Sequence, residues 1–269
     1  MNINSNLPII IGGCHRSGTS LVRRILNSHS RIYCGPEIKF FKDWYGDYIN
    51  DPITHARFIQ SAKSILPEEE LFSILGKAFI DIHIRAAERF DKPRWADKNP
   101  ENVLYLHQWN QLLGKEWYFV QVVRNPLDTL ASMIEANFKY ALPSELDKKI
   151  DFYNSYSEAG LNFYESHPDR SYRIIYESLV KSPGKEINKL MQWLGEKAES
   201  IQLDFNSAQH QPGLEDPKIK KTQVVHSDSI DRWKRDLKSE EIQAILTKTL
   251  AIWKKLDNEN SYPIDQLSI

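Results

Sequence analysis

The sequence predicts an α/β fold in which helices flank a parallel β-sheet. Short apolar runs at residues 7–13, 116–123 and 171–176 have the length and the β-branched composition of buried strands. Helical patterns separate these runs, and strands that alternate with helices form parallel sheets. A glycine-containing segment at residues 13–20 joins the first strand to the first helix, where a phosphate loop would lie. The expected architecture is therefore P-loop-like.

The other elements are predicted by apolar residues at helical spacing and by residues that begin or end helices. Between the first two predicted strands, residues of about 42–95 carry helical patterns interrupted at Pro67, and we expect a helical insertion there. Residues 205–230 are polar and irregular, and they belong to a C-terminal segment of about 205–240. Helices are predicted at 18–28, in two parts of 52–92, from Pro100 to Leu113 with Gly114 as the C-cap, from Pro126 to about Tyr140, at 145–166, from Pro183 to Gly195, and at 239–254.

Composition and charge exclude several classes of protein. The 269 residues include 35 Lys and Arg, 36 Asp and Glu, and 41% hydrophobic residues, which is typical of a globular chain. A net charge of -1 gives no general attraction to nucleic acid or to an anionic membrane, so a bound anion needs a local site. No apolar run approaches the roughly 18 residues of a membrane helix, and Cys14 and Cys34 are too few for a disulfide framework. We expect one domain over residues 1–269, in the cytoplasm, without nucleic acid or membrane partners; the oligomeric state stays open, a homo-oligomer included.

The strongest local motif is Gly13-Cys14-His15-Arg16-Ser17-Gly18-Thr19-Ser20. It matches the G-x-x-x-x-G frame of a phosphate loop, but Thr19 and Ser20 stand where a nucleoside triphosphatase has lysine followed by serine or threonine. Backbone N–H groups of such a loop converge on an anion, the helix N-terminus adds positive charge, and the Arg16 guanidinium suits oxyanions. The loop therefore predicts phosphate binding without the lysine that reaches a γ-phosphate. A plain glycine turn between strand and helix is the alternative.

A second anion site is predicted at the end of the second apolar run. Arg124 follows residues 120–123, at the edge of the sheet where ligands bind, and Ser132 lies two helical turns further along. Both side chains could reach one phosphate, although Arg124 could instead pair with Asp128. Two anion sites on neighbouring strands indicate a nucleotide with phosphates at both ends of its ribose.

Together with four further segments, these residues resemble the PAPS-dependent sulfotransferases, in the branch of bacterial and tyrosylprotein enzymes (PAPS is 3′-phosphoadenosine 5′-phosphosulfate; the product PAP is 3′-phosphoadenosine 5′-phosphate). GGCHRSGTSLVRRIL resembles the 5′-phosphosulfate loop, with His15 in place of a proline, and VVRNPLDTLASM resembles the 3′-phosphate segment. CGPEIK and ADKNPEN resemble the segments that carry the catalytic glutamate and lysine, and Lys39 stands where the tyrosylprotein branch has arginine. IIYESL resembles the strand end with a tyrosine near the adenine, and SDSIDRWKRDL resembles a C-terminal element that closes on the donor.

The resemblance implies a role for each matching residue. It implies Glu37 as the catalytic base, and Lys98 and Arg16 as groups that stabilise charge. The alternatives are that Glu37 pairs with Lys39 or Lys42 and that Lys98 pairs with Asp97. The implied donor-binding residues are His15, Arg16, Ser17, Gly18, Thr19, Ser20, Arg124, Ser132, Tyr176, Ser227 and Arg232.

The function implied is in-line transfer of a sulfuryl group from PAPS to an acceptor hydroxyl on a small molecule, a sugar or a peptide. A sulfuryl group carries less charge than a terminal phosphoryl group, so fixed cations and backbone N–H groups could replace the metal ion of a kinase. We therefore expect no metal. The alternatives are a P-loop kinase or nucleoside triphosphatase, and a non-catalytic nucleotide-binding protein.

Overall fold

Five parallel strands form the centre of the fold. They are β1 (Ile9–Gly13), β2 (Ile32–Cys34), β3 (Arg94–Lys98), β4 (Tyr118–Val123) and β5 (Ser171–Ile175), in the spatial order β2-β3-β1-β4-β5. Every neighbouring pair is parallel. The structure, a computed structural model, describes residues 6–47, 52–136, 138 and 141–258; for residues 52–56 and 221 it describes the backbone only.

Helices cover both faces of the sheet. Apolar side chains of α4, α5, α6, α7 and α11 form a core on one face, and those of α1 and α9 form a core on the other. The helices are α1 (Thr19–Ser28), α2 (Phe40–Tyr45), α3 (Pro52–Ala62), α4 (Glu68–Arg89), α5 (Leu106–Leu113), α6 (Pro126–Ala136), α7 (Leu146–Ser166), α8 (Tyr176–Lys181), α9 (Pro183–Trp193), α10 (Trp233–Asp236) and α11 (Ser239–Leu256). In the described parts of the chain, no helix combines the length and the apolar character that crossing a bilayer requires.

The α/β fold class predicted from the sequence is confirmed. The three predicted strands correspond to β1, β4 and β5, and the predicted long helices correspond to α1, α3, α4, α6, α7, α9 and α11. The helix expected from Pro100 is a 3₁₀ turn at Pro100–Leu104 followed by α5, with Gly114 as its cap. The helix expected to reach about Tyr140 is described to Ala136, and Tyr140 lies outside the described residues.

The sequence does not predict two of the strands, β2 and β3. β2 has only three residues, and β3 begins inside the segment expected to be a helical insertion. All five residues of β3 are buried although three of them are charged. Arg94 donates to the backbone carbonyls of Leu7 (2.5 Å) and Leu194 (3.0 Å), so buried hydrogen bonds take the place of apolar packing.

The parallel order brings the carboxyl ends of all strands to one edge of the sheet. Ile11 of β1 is in register with Lys98, Gly13 is in register with Val122, and Val123 is in register with Ile175. The residues that follow β1, β2, β4 and β5 therefore start from neighbouring positions. Ligands bind beyond this edge in open α/β sheets.

Candidate functional site

The loop between β1 and α1 requires glycine at two positions, Gly13 and Gly18. A Cβ atom on Gly13 would lie 2.1 Å from the Val122 carbonyl oxygen, and one on Gly18 would lie 2.4 Å from the ring of Tyr176. Gly18 (φ 95°) and Arg16 (φ 69°) both adopt left-handed conformations. Such a conformation strains a residue other than glycine, and strained residues cluster at ligand sites. The loop is thus folded tightly and presents the Arg16 side chain at the edge of the sheet.

The N-terminus of α1 is available to an anion. The first N–H groups of an α-helix have no partner within the helix. In α1, which begins at Thr19, the N–H groups of Leu21 and Val22 donate to the Gly18 carbonyl, so those of Thr19 and Ser20 are the ones that could meet an anion. Ser17 is buried, and within the described residues its hydroxyl oxygen has no hydrogen-bond partner. A buried hydroxyl group without a partner costs free energy unless a ligand or water satisfies it. The loop therefore fits an oxyanion.

Arg124 is held rigidly at the end of β4. Its guanidinium donates to the backbone carbonyls of Arg16 (3.1 Å) and Ser229 (2.5 Å), and it lies 4.7 Å from the centre of the Tyr176 ring. Its Nε atom is buried without a partner among the described residues. The predicted alternative of a pair with Asp128 is present only as a 4.0 Å contact, because Asp128 accepts hydrogen bonds from the backbone of residues 231 and 233.

The two predicted anion sites meet at one cavity. The Nε of Arg16 donates to the Ser132 hydroxyl at 3.1 Å, and the carbonyl of Arg16 accepts from Arg124. The cavity has a volume of about 680 Å³ when the open solvent at its mouth is included. Its lining includes Arg16, Gly18, Ser20, Arg124, Ser132 and Tyr176.

Of the two C-terminal candidates, Arg232 lines the first cavity and Ser227 does not. Arg232 lines the same cavity and pairs with Glu135 (2.9 Å) and Asp236 (2.7 Å between Nε and the carboxylate). Ser227 is exposed and does not line the cavity; Ser229 of the same segment lines it and accepts the bond from Arg124.

A second cavity adjoins the first. Its volume is about 820 Å³, open solvent included, and it shares Arg16, Gly18 and Ser20 with the first cavity. Glu37 and Lys39 line it, with apolar surface from Pro100, Phe138, Ala141, Leu214 and Pro217. A group that extends from the first cavity past the loop would therefore reach the carboxylate of Glu37.

Glu37 lies between two ammonium groups. One carboxylate oxygen pairs with Lys98, and the other pairs with Lys39 at 2.6 Å. Lys98 also donates to the Ser20 hydroxyl at 3.1 Å. Burial acts to raise the pKa of Glu37, but the charges of Lys98 and Lys39 outweigh it and lower that pKa below its ordinary value. Glu37 is therefore an ionised acceptor of protons at neutral pH.

Of the alternative ion pairs predicted for Glu37 and Lys98, the first is present and the second is absent among the described contacts. Glu37 does pair with Lys39, and both line the second cavity; Glu37 also pairs with Lys98, which lines neither cavity. Lys98 does not pair with Asp97, whose carboxylate accepts hydrogen bonds from Asn99 (3.0 Å) and Asn102 (2.7 Å).

His15 points away from the first cavity. Its ring packs against Phe152 and Tyr156, with centroids 5.6 and 5.7 Å away, and its Nε2 lies 3.6 Å from Glu101. Burial lowers the pKa of His15 to about 4, so the ring is neutral at pH 7. Its side chain lines the second cavity.

Comparisons with known proteins identify the family. A model of the "Sulfotransferase family" matches residues 8–200, more than half of the chain. The chain belongs to the sulfotransferase family. It is 27% identical over 191 residues to a Caenorhabditis briggsae protein named "Putative protein-tyrosine sulfotransferase", and the match covers 69% of this chain and 64% of that protein. The chain thus spans less than two thirds of that relative's length.

Two solved structures share the fold of this family member. The sulfotransferase domain of the Synechococcus PCC 7002 olefin synthase has a TM-score of 0.60 and 18% identity, over 90% of this chain and 94% of that domain. The sulfotransferase domain from the curacin biosynthetic pathway has a TM-score of 0.62 and 19% identity, over 91% and 97% of the two chains. These likenesses show the fold.

Part of the C-terminal segment lies over this sulfotransferase-family site through residues that no motif in the sequence singled out. Glu215 pairs with Arg23 and Arg24 of α1, and Asp216 pairs with Arg16 at 2.6 Å. The Leu214 carbonyl accepts from the backbone N–H of Glu37 at 3.1 Å. The adjacent acidic residues at 215 and 216 are a sequence signal that could have indicated contact with the arginines of the loop and α1. Nowhere in the described residues do three His, Cys, Asp or Glu side chains group as ligands of a metal ion.

Proposed function

We propose that this protein transfers a sulfuryl group from PAPS to a hydroxyl group of an acceptor. One observation carries the proposal: the loop with Arg16 and the pair Arg124–Ser132 line one cavity, and Glu37 lies in the cavity beside it. A bisphosphorylated nucleotide would occupy the first cavity and an acceptor the second. Membership of the family supports this activity.

The lining of the first cavity fits PAPS. The Nε of Arg124 is a buried polar atom without a partner among the described residues, and a phosphate could satisfy it; Ser17, whose hydroxyl also has no described partner, does not line this cavity. We assign the 3′-phosphate to Arg124 and Ser132, and the 5′-phosphosulfate to the backbone of residues 15–20 with Arg16. We assign the adenine to the neighbourhood of Tyr176. Arg232 is assigned as a further phosphate contact, whereas Ser227 would need the segment to move.

The side chains of the second cavity, with Lys98 in contact with Glu37 and Ser20, suit proton removal and charge stabilisation. Bound PAPS supplies an electrophilic sulfuryl group and a phosphate leaving group. Glu37 accepts the proton of the acceptor hydroxyl, and its low pKa keeps it ionised for that step. Lys98 and Arg16 stabilise the negative charge that develops between the loop of residues 13–20 and the acceptor during sulfuryl transfer.

Metal independence is part of the proposal. Arg16, Lys98 and the N-terminus of α1 place fixed positive charge where a kinase uses magnesium. A kinase would also need the lysine that Thr19 replaces.

Thermal stability distinguishes the proposed function from its alternatives. We expect PAP at about 100 times its dissociation constant to raise the free energy of unfolding by about 2.7 kcal/mol, with or without EDTA. ATP with magnesium at the same concentration should have a smaller effect. Tight, magnesium-dependent ATP binding would favour a kinase, and PAP binding without transfer to any acceptor in a broad panel would favour a non-catalytic protein.

We also propose the setting of the reaction. The two cysteines, Cys14 and Cys34, are buried thiols, which is compatible with the reducing cytoplasm. We propose a single domain over the chain, and an acceptor drawn from small molecules, sugars or peptides. Phe138, Ala141, Leu214 and Pro217 supply the apolar walls that would select among them, and no described residue of α2, α3 or α4 lines this cavity.

The pair of Asp216 with Arg16 predicts a gain in donor affinity. Asp216→Asn removes a negative charge that competes for Arg16, so we expect PAP to bind about three- to tenfold more tightly. Calorimetric titration with PAP measures the change. The matched control is Asp228→Asn, because Asp228 belongs to the same segment and its side chain is 86% exposed. Unchanged or weaker PAP binding by Asp216→Asn would show that Asp216 does not oppose the donor.

A further inference from the structure

A row of buried charges extends from the site into the fold. Lys98 pairs with Glu37, Glu37 pairs with Lys39 at 2.6 Å, and Lys39 pairs with Glu101 at 2.9 Å. The signs alternate along the row, and the side chains of all four are at most 18% exposed. Glu101 lies in the 3₁₀ turn after β3 and was assigned no role from the sequence.

Lys98 and Lys39 disfavour protonation of Glu37, the proposed base. When the acceptor hydroxyl is deprotonated, its proton bonds to Glu37 and its electron pair forms the new bond to sulfur. The electron pair of the breaking sulfur–oxygen bond departs with the 5′-phosphate. Protonated Glu37 is neutral, so Lys39 then loses one of its two anionic partners. A buried ammonium group without a counterion is costly and would oppose this transfer.

Glu101 is placed to remove that cost. Its carboxylate remains paired with Lys39 whatever the protonation of Glu37. Its other oxygen faces Nε2 of His15 at 3.6 Å, and neither atom has a hydrogen-bond partner among the described residues. Because the His15 ring is neutral at pH 7, the negative charge of Glu101 acts mainly on Lys39.

We propose that Glu101 is a positioning residue for this reaction, which shares the charge of Lys39 and thereby keeps Glu37 able to accept the acceptor's proton. The inference rests on the proposed function. Burial acts to raise the pKa of Glu101, but Lys39, His15 and Lys42 outweigh it and lower that pKa to about 2. Glu101 is therefore ionised throughout the range in which the enzyme would be assayed. The titratable and charged groups that face the row are His15, Lys42, Tyr105 and Tyr156.

The variant Glu101→Gln keeps the shape of the side chain and removes its charge. Lys39 then acts on Glu37 alone, which disfavours protonated Glu37. We expect kcat to fall about tenfold and the acid limb of its pH profile to move to lower pH, with the KM for PAPS within about twofold of the wild type. A merely structural role of Glu101 would not move the acid limb.

A second variant, in which no net charge is lost, distinguishes the effect of the Lys39 charge from an effect on folding. Lys39→Met with Glu101→Gln removes the cation and its counterion together, so Glu37 keeps only Lys98. We expect the acid limb of this double variant to lie above that of the wild type, and kcat to recover relative to Glu101→Gln. Circular dichroism and PAP titration on each protein establish that it is folded.

The outcomes are distinguishable. If the wild type binds PAP but transfers sulfate to no acceptor, the proposed function fails first. If the wild type is active and Glu101→Gln has the same kcat and pH profile, the inference is overturned and the function stands. If Glu101→Gln does not fold, the double variant decides: an acid limb at or below that of the wild type overturns the inference.

Discussion

Replacing Glu37 by glutamine should lower turnover by about 10²- to 10⁴-fold, the usual contribution of a general base. The amide keeps nearly the same shape but does not accept a proton at neutral pH. Glu37 lines the second cavity and not the first, so the affinity for PAP should stay within about twofold. Initial rates at saturating PAPS and acceptor measure the first effect, and calorimetric titration with PAP measures the second.

An exposed carboxylate provides the matched control for this prediction. Glu145 has a side chain that is 65% exposed, and Glu145→Gln should leave both quantities unchanged. Loss of PAP affinity in Glu37→Gln without a lower turnover would mean that Glu37 serves the donor site. An unchanged turnover would mean that another group accepts the proton, and Glu101 at the end of the row of charges would be the next residue to test.

The parts of the fold that the sequence predicts share one property: their local pattern agrees with their final environment. β1, β4 and β5 are apolar runs in a buried sheet, and α1 has apolar residues where it faces the core. The motif of residues 13–20 specifies the strand–loop–helix unit by itself, because glycine is required where the loop approaches Val122 and Tyr176.

β3 shows why the rest was missed. Two of its charged residues have partners far away in the chain: the carbonyls of Leu7 and Leu194 for Arg94, and Glu37 for Lys98. A pattern of alternating or continuous apolar residues does not describe such a strand. The sequence pattern therefore predicts a helical insertion that includes the start of β3. In the structure, the last helix before β3 is α4, which ends at Arg89.

The candidate site likewise contains residues that the sequence predicts and residues that it does not predict. Arg16, Arg124, Ser132 and Glu37 could be named because each belongs to a short motif, and the parallel sheet explains why they meet at one edge. Their individual roles stay predictions. Asp216 lies 200 residues from Arg16 in the sequence, and its ion pair with that residue depends on the path of an irregular segment. The two adjacent acidic residues indicate basic partners, but a local pattern does not specify which arginine each of them contacts.

Replacing Arg124 by lysine should have the largest effect on donor binding. Lysine keeps the charge but loses the forked geometry that grips a phosphate. A hydrogen bond to a charged group contributes about 1.5–3 kcal/mol, so we expect PAP to bind roughly 10- to 100-fold more weakly. Calorimetric titration measures this loss. Arg170→Lys is the control, because Arg170 contacts Asn110 and the Trp117 ring and does not line the cavity.

A second ligand distinguishes phosphate binding from support of the loop. Arg124 also donates to the carbonyls of Arg16 and Ser229, so the substitution could loosen the loop itself. Adenosine 5′-monophosphate shares the loop contacts of PAP but lacks the 3′-phosphate. If Arg124 holds the 3′-phosphate, Arg124→Lys weakens PAP and leaves the monophosphate nearly unchanged, so the preference for PAP falls by the same factor. Equal weakening of both ligands would assign Arg124 to the loop and leave the 3′-phosphate without its proposed partner.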